Sequence, residues 1–139
     1  MASTPSGPNP FGDNPFGDIG TAKYVQLTTY TKAGVAKPVP IWAALDDKGE
    51  LLMWTQAKSW KVKRIGNTPR VTLATCDRAG KNVGPTMEAT ARILDDAGTA
   101  HTREVINAKY GLVGRFATTA SSLFKGKSST VGIAVTAPR

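Results

Sequence analysis

The sequence contains a single cysteine, Cys76, so it closes no internal disulfide, which suits the cytoplasm. It contains a single histidine, His101, and no cysteine or histidine cluster at metal-ligand spacing, so no metal site is expected. No apolar run reaches the ~18 residues that a membrane-spanning helix requires. The N-terminus lacks a positive region followed by an apolar segment, so no secretory leader is expected. Neither a nucleophile elbow nor a P-loop occurs, which leaves hydrolysis and nucleoside-triphosphate chemistry without support. Two absences are local. Residues 1–20 hold no lysine or arginine, and no aspartate or glutamate occurs between Glu50 and Asp77.

What is present fits one soluble globular domain. The chain has 139 residues, 40% of them apolar and 20% charged, enough for one core of ordinary size. Its formal charge of +8 points to anionic partners: nucleic acid, acidic lipid or a phosphorylated cofactor. Residues 1–20 are dense in proline and glycine and repeat the pentapeptide N-P-F-G-D at Asn9–Asp13 and Asn14–Asp18. They are expected to form a disordered tail, and residues 21–139 the folded domain.

From Thr21 the pattern is that of short strands. Tyr24–Thr31 alternates and is rich in β-branched and aromatic residues. A turn at Lys32–Gly34 leads into Ala36–Leu45, whose Pro38 and Pro40 cannot donate ladder hydrogen bonds and so belong at an edge or beside a ligand. A turn at Asp46–Gly49 precedes Leu51–Thr55, and these three strands are expected to form a meander. Next come a short helix over Ser59–Ile65, strands at Arg70–Cys76 and Thr86–Leu94, a helix from Asp96 to Tyr110 stopped by Gly111, and a second helix. In that second helix Leu112, Phe116, Ala120 and Leu123 or Phe124 make an apolar stripe, and Thr130–Thr136 is the last strand. About six strands in antiparallel hairpins with three helices predict a mainly β fold, a small closed or split β-barrel with helices at its side.

The chemistry concentrates between Trp54 and Val71, W-T-Q-A-K-S-W-K-V-K-R-I-G-N-T-P-R-V. This stretch carries Lys58, Lys61, Lys63, Arg64 and Arg70 and no acid. A helix N-terminus offers free N–H groups and about half a positive charge, and phosphates settle there. Thr55 and Ser59 add hydroxyls, Lys58 and Lys61 add charge, and Trp54 and Trp60 flank the turn. Against this stands the bland reading of a solvated basic face. His101 has no serine or carboxylate at a recognisable spacing, Cys76 reads as packing, and Glu88 and Arg92 share one strand face suited to cross-strand or intersubunit pairing.

These residues resemble a known family. The run W-T-Q-A-K-S-W-K followed by R-I-G-N-T-P-R-V-T-L is similar to the phosphate-binding segment of the pyridoxamine-phosphate-oxidase-like split barrels. The segments K-Y-V-Q-L-T-T-Y, P-V-P-I-W, K-V-K-R-I, C-D-R-A-G, E-A-T-A-R-I-L-D and K-Y-G-L resemble most its actinobacterial branch, which uses the deazaflavin coenzyme F420. The resemblance covers about Gly20 to Thr136. It implies a homodimer of split β-barrels, with two cofactor sites at the subunit interface. Thr55, Ser59 and Lys61 would hold the cofactor phosphate, with Gln56, Ala57, Lys58, Trp60 and Arg64 around it and Val39, Pro40 and Ile41 along the ring system. Trp60 departs from the FMN-using oxidases, which carry a basic residue there; FMN is therefore the alternative cofactor.

The implied reaction is hydride transfer between deazaflavin and a small organic acceptor, for which the sequence names no catalytic residue. One alternative is a deazaflavin- or FMN-binding protein that carries or stores cofactor without turnover. Another is a basic nucleic-acid-binding barrel, which the clustering of the basic residues at one turn and helix argues against.

Overall fold

The computed structural model describes residues 14–125 and 130–138, with side chains described through Tyr110 and again from Thr130. Among the described residues seven strands make one antiparallel sheet: β1 (Val25–Tyr30), β2 (Ala36–Ile41), β3 (Ala43–Leu45), β4 (Leu51–Gln56), β5 (Arg70–Thr75), β6 (Met87–Ile93) and β7 (Thr130–Thr136). Three helices accompany them: α1 (Asp18–Thr21), α2 (Trp60–Asn67) and α3 (Asp96–Lys125). The strand order is β2-β1-β5-β6-β7-β4-β3. The mainly β split barrel is therefore present, with seven strands where six were expected.

The expected meander is absent. The stretch 36–45 breaks at Trp42: its first half pairs with β1, its second half with β4. These halves lie at opposite edges of the sheet yet are one residue apart in the chain. A single residue spans only ~3.8 Å from each neighbouring Cα, so the sheet must curl until its two edges meet at Trp42.

Alternation along the strands sets the interior. Val25 and Leu27 on β1, Ala43 on β3, Leu51 and Met53 on β4, Val71 and Leu73 on β5, Ala89 and Ala91 on β6, and Ile133 and Val135 on β7 pack into one cluster. Ile65 of α2 joins this cluster, with Val62 against it. That is the docking expected of two apolar residues three apart on a helix. On the other face Leu52 and Ala134 are also buried, and α3 packs along β7, β4 and β3. Gly132 permits that approach: a Cβ there would fall 2.5 Å from Oγ1 of the buried Thr102. Its N–H donates to Thr99 Oγ1 at 2.9 Å.

Two further expectations are corrected. The tail was expected to run to residue 20, but the second N-P-F-G-D copy is folded. Asn14 Oδ1 accepts the Phe16 N–H at 3.1 Å, its Nδ2 donates to the Gly17 carbonyl, and Phe16 (4% exposed) and Ile19 enter the interior cluster. The first copy lies outside the described residues. Gly111 does not stop the helix, since α3 runs on to Lys125. A glycine inside a helix costs only about 1 kcal/mol, and no proline lies between Gly111 and Lys125 to forbid continuation. The predicted stripe from Leu112 to Phe124 involves side chains outside those described.

Glu88 and Arg92 do pair across the sheet. Glu88 bridges Arg70 at 3.1 Å, and Arg92 bonds both oxygens of Glu50 at 2.6 and 3.0 Å.

Candidate functional site

The stretch from Thr55 to Arg64 is continuous in space as well as in sequence. Thr55 and Gln56 end β4, Ala57 and Lys58 form the turn, and Ser59 is the N-cap of α2. The Ser59 N–H donates to the Gln56 carbonyl at 3.1 Å, which closes the turn, and its carbonyl accepts the Lys63 N–H. The Ser59 backbone is extended, as an N-cap requires, yet its hydroxyl caps nothing. Its Oγ is buried and has no hydrogen-bond partner among the described residues. Burying a hydroxyl without a partner costs roughly 1–3 kcal/mol, so an orphan at the mouth of a helix marks a position suited to a ligand oxygen.

Lys61 lies one residue into the helix and is half-buried. Burial pulls its ammonium below the ordinary lysine range, and repulsion from Arg64 adds to the effect. Among the described residues no carboxylate or hydrogen-bond acceptor pairs with it, as the absence of acid from 51 to 76 foreshadows. An anion at Ser59 would supply that counter-charge and restore the ordinary pKa.

Arg64, three residues on, neighbours Lys61, while Lys63 turns to another face of the helix. Trp60, Lys63, Arg64 and Asn67 fall on one face and, with Thr31 and Lys32 from the β1–β2 turn, line a groove of about 380 Å³. Trp60 is 68% exposed and Lys63 Nζ sits 5.0 Å from its ring centroid. Arg64 Nη1 donates to the buried Thr29 Oγ1 at 3.3 Å, which turns its side chain toward β1. Lys58 is exposed in the turn.

Val39, Pro40 and Ile41 lie on β2, at the edge of the sheet beyond β1. Leu27 faces Val39 and Val25 faces Ile41 in register, and both β2 side chains pack inward on the cluster that Ile65 also joins. Pro40 faces the other way, against the Asp77–Lys81 turn, where a Cβ on Gly80 (φ +79°) would sit 3.4 Å from its ring. Asp77 Oδ1 holds that turn by accepting the Ala79 and Lys81 N–H groups. The three β2 residues thus share an interior with α2 but stand on a separate element.

Since prolines donate nothing, residues 37, 39 and 41 must carry the ladder to β1, and residues 36, 38 and 40 face the free edge. At positions 38 and 40 that edge presents carbonyls only.

One constellation escaped the sequence reading. The rings of Trp42 and Tyr110 stack 4.3 Å apart and 7° from parallel. The Tyr110 hydroxyl lies 2.8 Å from the Lys23 carbonyl and 3.0 Å from that of Ala43, and accepts the Ala43 N–H at 3.1 Å. Lys109 Nζ donates to the carbonyls of Ala22 and Ala43, both at 2.6 Å. Aromatics at 42 and 110 are 68 positions apart, and no local pattern joins them; the K-Y-G-L segment carried family likeness and no role. Trp54 Nε1 is a further buried group without a partner among the described residues. His101 is exposed on α3.

No protein-family model and no curated protein matches the chain. Solved structures do. A conserved hypothetical protein of Mycobacterium tuberculosis superimposes with a TM-score of 0.65 at 22% identity, covering 88% of this chain and 78% of that one. The heme storage protein HutZ of Vibrio cholerae gives 0.62 at 10% identity, covering 84% and 82%. An F420 reductase gives 0.58 at 21% identity, covering 91% and 96%. At these identities the likeness shows a shared split β-barrel fold.

Proposed function

We propose that this chain is a homodimeric, cytoplasmic oxidoreductase that transfers a hydride between coenzyme F420 and a small organic acceptor, with FMN as the alternative cofactor. The observation that carries the reading is the buried, unpartnered Ser59 hydroxyl beside a half-buried Lys61 with no acidic partner. The residues present fit a phosphate: Ser59 and Thr55 would donate hydroxyl hydrogen bonds, Lys61 would supply the charge, and Lys58 and Arg64 would raise the local potential. The groove of Trp60, Lys63 and Arg64 suits an anionic extension such as the glutamate tail of the deazaflavin. The carbonyls at the free edge of β2 suit the N–H groups of a heterocycle.

When bound, a reduced deazaflavin supplies the hydride. The chain's part is to bind, orient and exclude water, which needs no acid–base constellation of its own. The structural neighbours include heme proteins as well as an F420 reductase, so the choice of cofactor rests on Ser59 and Lys61.

The test is a titration of oxidised deazaflavin, and separately FMN, followed by ring fluorescence. We expect micromolar or tighter deazaflavin binding and weaker FMN binding. Lys61→Ala should weaken deazaflavin binding at least about tenfold, equivalent to ~1.4 kcal/mol. Undiminished binding by Lys61→Ala would sink the site, and a monomer in sedimentation would sink an intersubunit location. Turnover of reduced cofactor with enones and quinones separates an enzyme from a cofactor carrier.

A further inference from the structure

A second cleft, of about 300 Å³, opens where β2 gives way to β3. It is lined by Thr21, Lys23, Trp42, Lys109 and Tyr110, none of which borders the α2 groove. Two lysines line this cleft and, among the described residues, no carboxylate does. Lys109 Nζ spends two of its three donors on the carbonyls of Ala22 and Ala43, which orient it but leave its charge uncompensated. Lys23 Nζ lies 5.8 Å from the centroid of the Tyr24 ring, a weak and neutral partner. Burial pulls Lys109 below the ordinary lysine range, with no opposing charge to restore it. Lys109 is exposed overall, yet its ammonium is partly desolvated at the cleft wall, a cost that an anionic ligand would offset.

The remaining wall is aromatic. The stacked Trp42 and Tyr110 rings are fixed by the three backbone contacts of the Tyr110 hydroxyl, so they present a preorganised surface for a flat ring. The volume lies at the small end of ligand pockets, enough for one or two rings. We propose that this cleft binds a small planar organic anion, an aromatic carboxylate, with its ring on the Trp42–Tyr110 wall and its carboxylate on Lys109 and Lys23. The site uses none of the residues assigned to the cofactor and stands or falls separately from it.

In a Trp54→Phe, Trp60→Phe background Trp42 is the remaining tryptophan, so its quenching reports on this cleft. 4-Nitrobenzoate and the uncharged 4-nitrobenzyl alcohol are titrated against it without deazaflavin. We expect saturable quenching by the acid, with a dissociation constant at least about tenfold tighter than that of the alcohol. Lys109→Met should abolish the preference. Because Lys109 also ties two carbonyls, Lys23→Met provides a gentler variant, expected to lose about three- to tenfold. Ser59→Ala combined with Lys61→Met should leave the titration unchanged. Equal affinity for acid and alcohol overturns the proposal, as does a preference left undiminished in Lys23→Met. Loss of quenching in the Ser59, Lys61 variant overturns it too, by locating the anion at α2.

Discussion

Removing one oxygen atom, in Tyr110→Phe, tests how the barrel's two edges are held together. That oxygen accepts the Ala43 N–H at 3.1 Å and donates its single proton to the carbonyl of Lys23 or of Ala43, at 2.8 and 3.0 Å. Ala43 is 0% exposed, so water cannot replace the lost acceptor. An orphaned buried N–H costs about 1–3 kcal/mol, and the lost donation roughly 1 kcal/mol more, partly offset where the Lys23 carbonyl finds solvent. The expected loss is therefore about 2–3 kcal/mol, with the ring stack on Trp42 retained. Tyr30→Phe is the control. Its hydroxyl meets Thr72 Oγ1 at 2.6 Å on the partly exposed outer face, where both groups can turn to water, so about 1 kcal/mol or less is expected. Urea denaturation gives both values, and amide exchange at Ala43 should speed up in Tyr110→Phe alone. Equal losses in the two variants, or unchanged protection at Ala43, would refute the reasoning.

Phe16→Ala should cost about 3–5 kcal/mol, because the ring is a buried member of the interior cluster and not part of a tail; a midpoint shift under 1 kcal/mol in denaturant would return residues 14–19 to the tail. The Glu50–Arg92 pair predicts a pH dependence. The Arg92 hydrogen bonds hold the Glu50 carboxyl below its ordinary range against a smaller opposing effect of burial. A depressed carboxyl contributes stability above its unfolded pKa and loses it as pH falls through the folded one. Denaturation midpoints should thus drop between about pH 5 and pH 3, and drop less in Arg92→Met. Identical slopes for the two proteins would remove the pair from the account.

Much of the strand pattern was legible because alternation and turn chemistry are local. Asp46 and Asp77 each accept two backbone N–H groups, at positions two and four residues on, and each closes the turn foreseen from its Asp and Gly residues. The proposed anion site could be read for the same reason, since Thr55 to Arg64 is one unbroken segment. What was not legible is long-range. The break at Trp42 depends on which strands lie beside 36–41 and 43–45, and alternation does not distinguish a bent strand from a crossing between edges. The fate of Phe16 depended on a vacancy in the interior, while composition around it argued for disorder. Gly111 illustrates the limit of single-residue propensities: about 1 kcal/mol is too little to end a helix whose neighbours all permit it.

The prolines of β2 have a consequence for association. An exposed strand edge is ordinarily a template on which another chain's strand can add, and growth of that kind needs donors as well as acceptors. With Pro38 and Pro40 at outward positions, the free edge of β2 can accept hydrogen bonds along its middle but cannot return them. An incoming strand would meet half a ladder, while a small donor-bearing molecule would meet all it needs. The same two residues therefore make the edge hospitable to a ligand and resistant to aggregation.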